Sequence, residues 1–145
     1  MNIEKGLERG VLYIVATPIG NNDDMSSRAR EILIACDRVA AEDTRRAARL
    51  LAELGGNRHK LISLHEHNED KLVDYLVDEL VKGASVALVS DSGTPLLSDP
   101  GYRLVKAASS SGILVKPIPG PSSIIAALSV CPLPAHPFCF VGFLP

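Results

Sequence analysis

Tryptophan is missing from the 145 residues, and aromatics as a whole make up only 4%. The interior must therefore be built from Val, Leu, Ile and Ala rather than from large rings. No apolar stretch approaches the roughly 20 residues that cross a bilayer. The mixed-charge start lacks the apolar centre of a signal peptide. No membrane partner and a cytoplasmic location are expected. The only cysteines, Cys36, Cys131 and Cys139, suit neither a disulfide framework nor a zinc site by spacing. They read as buried free thiols, and no metal is expected. With a formal net charge of −2, no bulk basicity points to nucleic acid, although a basic face can hide in a balanced total. A Walker loop, a dinucleotide fingerprint and a Gly-x-Ser-x-Gly elbow are also absent, which removes three common enzyme chemistries.

The composition present is globular, 46% hydrophobic and 22% charged, at a length that makes one domain. Short apolar runs alternate with helical patterns. Val11 to Ala16, nearly all apolar and rich in β-branched residues, reads as the first strand, and Arg38 to Ala41, Leu61 to Leu64, Val86 to Val89 and Ile113 to Ile118 read as strands after it. A further strand is expected at Phe138 to Val141. Between them lie helices, the first from about Met25 to Cys36 with Asp23 or Asp24 as cap. The clearest carries Leu72, Val73, Leu76, Val77, Leu80 and Val81 at a 3.6-residue spacing. Ser98 or Asp99 followed by Pro100 reads as the start of the helix after the fourth strand. Ser122 is placed to cap the last one. Met1 to Gly10 is a polar lead-in. The fold class is α/β, a mostly parallel sheet with helices on both faces.

In such a sheet every strand-to-helix loop lies at one edge. Those loops, residues 17–24, 42–46, 65–69, 90–101 and 119–123, hold the chain's concentrated polar residues, whereas the returns are plain Gly, Ser and Lys punctuation. That asymmetry places a ligand site on the carboxyl edge. The loop at 17–24 has one Gly, no Lys and two carboxylates, which suits a small ligand without phosphate. Arg45 is the best-placed phosphate contact. Arg46 and Arg49 read as a solvated helix face. His65 and His67 alternate as in an extended segment and so face opposite ways, with no shared metal site.

Five stretches together resemble a known series: Leu12 to Asn21 with its Thr17-Pro18-Ile19-Gly20, Ala41-Glu42-Asp43-Thr44-Arg45, His65-Glu66-His67-Asn68-Glu69, Val89 to Gly101, and Pro119-Gly120-Pro121-Ser122-Ser123. They are similar, in the same order, to the RsmI-type small-subunit ribosomal RNA cytidine 2′-O-methyltransferases of the tetrapyrrole methylase superfamily. The resemblance implies the N-terminal domain of a class III methyltransferase, residues 11–145, with a second domain absent. It implies S-adenosylmethionine as donor, lined by Pro18, Gly20, Asp91, Gly93, Thr94, Leu97, Ser98, Ser122, Ser123 and Ile124. It implies small-subunit ribosomal RNA as partner, and a homodimer. For catalysis, a carboxylate or imidazole from the Glu42-Asp43 or His65-Glu66 loops would take the ribose proton, with Asp43, His65 and Glu66 as the candidates and Arg45 placing the neighbouring phosphate. The competing readings are methylation of a small tetrapyrrole, or a non-catalytic binding or dimerisation module.

Overall fold

The computed structural model describes residues 7–57, 60–65 and 67–143. Its strands are β1 (Val11–Val15), β2 (Arg38–Ala41), β3 (Leu61–Ser63), β4 (Val86–Val89) and β5 (Leu114–Ile118). Its helices are α1 (Ser27–Ala35), α2 (Thr44–Glu53), α3 (Glu69–Val81), α4 (Tyr102–Ser110) and α5 (Ser123–Ser129), with a 3-10 turn at Asn22–Asp24. The strands form one sheet in the order β3-β2-β4-β1-β5, and every pairing is parallel.

Alternation along each strand sorts the core into two layers. Val11, Tyr13 and Val15 join Val39, Ala87 and Val89 under α1 and α2, contributed by Ile32, Leu33, Ala47 and Leu51. Leu12, Ile14, Ala40, Val86 and Leu88 face the other way, against Val73, Leu76 and Leu80 of α3 and Leu104 of α4. Helices thus cover both faces, and β1 and β4 are buried throughout. The stripe on α3 ends one residue early, because Val81 is exposed.

Local details differ from the expectations. Ser26, not Asp23 or Asp24, caps α1 by accepting the Ala29 N–H; the two aspartates occupy the preceding 3-10 turn. α4 begins at Tyr102, after a left-handed Gly101, so neither Ser98 nor Asp99 caps it. Ser122 holds the cap position of α5 without a capping bond. Phe138–Val141 forms no strand. Of the thiols only Cys36 is buried, which pushes its pKa up to about 11; Cys131 and Cys139 are exposed. Residues 1–6 of the lead-in lie outside the described residues, but Leu7 packs on the first core layer and Glu8 pairs with Lys116.

Both edges of the sheet are blunt. β3 has only three residues. On β5, Ile118 O accepts the Ala16 N–H, and the alternation of a parallel ladder then turns the Pro117 nitrogen outward, where it has no proton to offer.

At the edge away from the loops, Lys60 is buried and its Nζ donates to Leu33 O (2.5 Å), Ile34 O (2.7 Å) and Cys36 O (3.2 Å), closing the end of α1. Beside it Asp37 Oδ2 accepts the Ser85 N–H at 2.7 Å and the Ser85 hydroxyl at 2.8 Å. These bonds hold the Asp37 carboxyl below its ordinary value. Because the folded-state pKa is depressed, the stabilisation is present above the ordinary carboxylate range and is lost as pH falls through the folded value. Urea unfolding between pH about 5 and about 2 should show wild-type stability declining more steeply with acid than that of Asp37→Asn; equal slopes would show that this carboxylate contributes nothing.

Candidate functional site

The loops after all five strands meet at the carboxyl edge, and the loop after β4, residues 90–101, is hydrogen-bonded to the loops after β1, β2 and β5. Thr17 and Gly93 exchange backbone hydrogen bonds, Thr17 N–H to Gly93 O at 2.9 Å and Gly93 N–H to Thr17 O at 3.1 Å. The Thr17 hydroxyl donates to Ser90 O at 3.2 Å. Gly93 has φ +82, and a Cβ there would press on Ile19, so the residue type is fixed by backbone geometry and by close approach. The Thr94 hydroxyl donates to Pro121 O at 3.1 Å, tying in the loop after β5. Asp91 Oδ1 accepts the Asp43 N–H at 3.2 Å, tying in the loop after β2. Glu69, at the start of α3, accepts the Arg103 N–H at 3.1 Å just beyond the loop's far end.

Two hollows flank this loop and a third meets its far end. The larger, about 340 Å³, lies between the loops after β1, β2 and β4, with Thr17, Pro18, Asn22, Asp43, Arg46 and Asp91 in its wall, and Arg49 and Glu53 further along α2. The smaller, about 80 Å³, is walled by Gly93, Thr94, Leu97, Asp99, Ser122, Ser123 and Ile124, with Ser92 and Phe140 completing it. Of the residues expected around the donor, Gly93, Thr94, Leu97, Ser122, Ser123 and Ile124 are brought together in the smaller hollow. Pro18 and Asp91 belong to the larger one, and Gly20 and Ser98 line neither.

The expected catalytic residues separate further. Asp43 caps α2, its Oδ1 accepting the Arg45 N–H at 2.8 Å, while its Oδ2 pairs with the Arg45 guanidinium at 2.9 Å. Arg45 and the helix start hold this carboxyl down at about 2. It is fully ionised at neutral pH and weakly basic. Arg45 itself points to solvent with its side chain 89% exposed, and it lines none of the described hollows. Arg46 and Arg49 are exposed, as expected of a solvated helix face, but that face also borders a hollow. Arg46 pairs with Asp91 at 3.6 Å and, with Arg49, lines the larger hollow. The signal was available in the spacing: 43, 46, 50 and 53 share one helix face, and that face looks into the hollow.

His65 and His67 do not point apart. The chain turns after β3, with Asn68 N–H donating to His65 O and Asn68 Oδ1 accepting the His65 N–H, which brings the rings edge to face with centroids 5.9 Å apart. His65 Nδ1 is buried without a partner. His67 lines a third hollow, about 430 Å³, together with Glu69, Asp99, Tyr102 and Arg103. Glu66 lies outside the described residues. No group of His, Cys, Asp and Glu among the described residues could hold a metal ion. Asp99 borders the second and third hollows, and burial together with the nearby Asp91 charge raises its carboxyl above the usual range. Phe140 came from a stretch expected to be a strand, and nothing in its local sequence marks it as part of a site.

In Arg45→Ala the Asp43 carboxyl should move up toward its ordinary 3.8. Carbon-13 NMR titration of the aspartates reads this directly, and an unmoved Asp43 would mean that the pair does not hold it down.

A ribosomal RNA small subunit methyltransferase I from Xylella fastidiosa (strain Temecula1) is 56% identical over 136 residues, covering 94% of this chain and 50% of that protein. One of the same name from Escherichia coli O157:H7 is 51% identical, covering 94% of this chain and 48% of its own length. The chain spans about half the length of the curated relatives it matches. A crystal structure of uroporphyrin-III-C-methyltransferase from Thermus thermophilus shares the fold, with a TM-score of 0.62 at 24% identity over 87% of this chain and 53% of that one. The family model for Tetrapyrrole (Corrin/Porphyrin) Methylases matches residues 11–139, and the chain belongs to that family.

Proposed function

We propose that this chain is the N-terminal α/β half of a two-domain enzyme that methylates the 2′-hydroxyl of a cytidine ribose in small-subunit ribosomal RNA. One observation carries the reading. The loop after β4 stands between a hydroxyl-lined hollow, with no cationic side chain among its described residues, and a larger one bordered by Arg46 and Arg49. The first suits a donor that has no phosphate; in the second, Arg46 and Arg49 stand among Asp43, Asp91 and Glu53, so a phosphodiester backbone would have to draw Arg46 away from Asp91. The names of the relatives supply the substrate class.

The residues present fit S-adenosylmethionine. Thr94, Ser122 and Ser123 offer hydroxyls to ribose and amino-acid groups, and Leu97, Ile124 and Phe140 offer apolar area to a purine. When bound, this donor supplies an electrophilic methyl group. At about 80 Å³ the hollow holds only part of such a molecule, so the remaining wall comes from the relatives' other half. Ile125, Val130, Leu133, Phe138, Val141 and Phe143, all exposed after β5, are the apolar surface that this half would cover. A second copy on the same surface is the other occupant, which light scattering separates.

For the acceptor, Arg46 and Arg49 position the RNA backbone. The ribose hydroxyl must lose a proton as it attacks. Asp99 lies beside the donor hollow, and burial and the Asp91 charge raise its carboxyl, whereas that of Asp43 is lowered; Asp99 is better matched to that role. Asp43 and Arg45 act through α2, fixing its start and the Arg46–Asp91 pair.

Calorimetry should detect S-adenosylmethionine binding by a chain carrying both halves and not by residues 1–145 alone; tight binding by the short chain would mean that the donor cleft is complete here. In the longer chain, Asp99→Asn should lower kcat for transfer to small-subunit RNA about 100-fold while donor affinity stays near wild type. An unchanged kcat would remove Asp99 as proton acceptor.

A further inference from the structure

Glu69 is the carboxylate that the described core buries, only 5% exposed in the first turn of α3. Burying a carboxylate is costly unless it is hydrogen-bonded. The bond it accepts comes from another helix: Oε1 takes the Arg103 N–H in the first turn of α4. That turn has no cap of its own, since Gly101 has no side chain to provide one. A residue 34 positions earlier in the chain therefore performs the capping.

The segment it closes is strained. Leu96 (φ 83) and Ser98 (φ 62) are the positive-φ residues other than glycine among the described residues, and non-glycine side chains adopt this region reluctantly. Such conformations persist where the surroundings hold both ends. The near end is fixed by the Thr17–Gly93 pairing and by Thr94 on Pro121. At the far end Gly101 sits so close to Leu88 that an added Cβ would come within 2.5 Å of Leu88 Cδ2, and Glu69 fastens the residues beyond it. The strained stretch presents Leu97 and Asp99 to the small hollow, while Glu69 lies outside that hollow.

We propose that Glu69 is a positioning residue: by capping α4 across the fold it holds residues 96–101 in the strained form that offers Leu97 and Asp99 to the methyl donor. The inference rests on the reading of the small hollow as the donor site. Glu69 is not a catalytic residue, because it reaches the hollow only through the backbone of α4. Its role differs from that of a packing group, since the requirement is for an acceptor oxygen at one place.

Glu69→Met keeps the side chain's length and removes the acceptor, whereas Glu69→Gln keeps an amide oxygen that can take the same N–H. In the two-half chain without ligand, amide exchange over residues 96–103 should quicken about ten-fold in Glu69→Met and stay within about three-fold of wild type in Glu69→Gln. The dissociation constant for S-adenosylhomocysteine should show the same order, about ten-fold weaker for Met and within about three-fold for Gln. In turnover the loss for Met should fall on the donor KM more than on kcat. Should Met disturb packing enough to prevent folding, Glu69→Ala removes the acceptor without adding bulk. Unchanged exchange in the acceptor-less variant would overturn the proposal, as would a Gln variant as impaired as Met. The exchange readout requires no ligand, so a wild-type chain that fails to bind S-adenosylhomocysteine would sink the methyl-transfer reading while exchange still decides whether Glu69 fastens the loop.

Discussion

The reciprocal backbone pairing of Thr17 with Gly93 is the constraint on which the carboxyl edge depends. β1 and β4 are neighbours in the sheet, and their polypeptides would ordinarily diverge once the ladder ends. Here they are held together for one more step, antiparallel instead of parallel. That step folds the loop after β4 back over the end of β1. The same loop then receives Asp43 from one side and Pro121 from the other. Without the pairing, the two hollows would have no common wall.

Three aspartates near this wall show how placement divides one chemistry into several tasks. Asp43 is clasped by an arginine and a helix start, and so remains an anion under any physiological condition. Asp91 joins two loops, accepting a backbone N–H and facing Arg46. Asp99, partly withdrawn from water, has its carboxyl raised rather than lowered and so favours its protonated form more than Asp43 does. A carboxyl's usefulness in proton transfer depends on such surroundings and not on its being a carboxyl.

The sheet was legible in the sequence because burial on both faces leaves an unambiguous trace. Val86-Ala87-Leu88-Val89 has no polar position to mistake for a solvent face, and a polar loop comes after every such run on the same side. Features that rest on residues adjacent in space but remote in the chain were not legible. Ser98 and Asp99 look like caps by local rules, yet α4 starts only after Gly101 and its free N–H is met by Glu69 from another helix. Arg45 comes directly after its strand and its loop, a place that aims it at the ligand, but Asp43, two residues back, turns it to solvent. Arg46 stays exposed but borders the larger hollow because of the phase of α2. The histidines went astray for a similar reason: alternation presumes an extended chain, and Asn68 converts that chain into a turn. Cys131 and Cys139 have apolar neighbours that suggest an interior, but neither layer of the core extends to α5 or to the residues after it.

Pro117 on the outermost strand bears on how such domains meet. A sheet grows when a foreign strand finds a row of free donors and acceptors along its rim, and that rim is interrupted here in mid-strand. The opposite rim is only three residues long. Ribbon-like stacking of one molecule onto the next is therefore disfavoured at both flanks, and any lasting contact must be made by side chains meeting face to face.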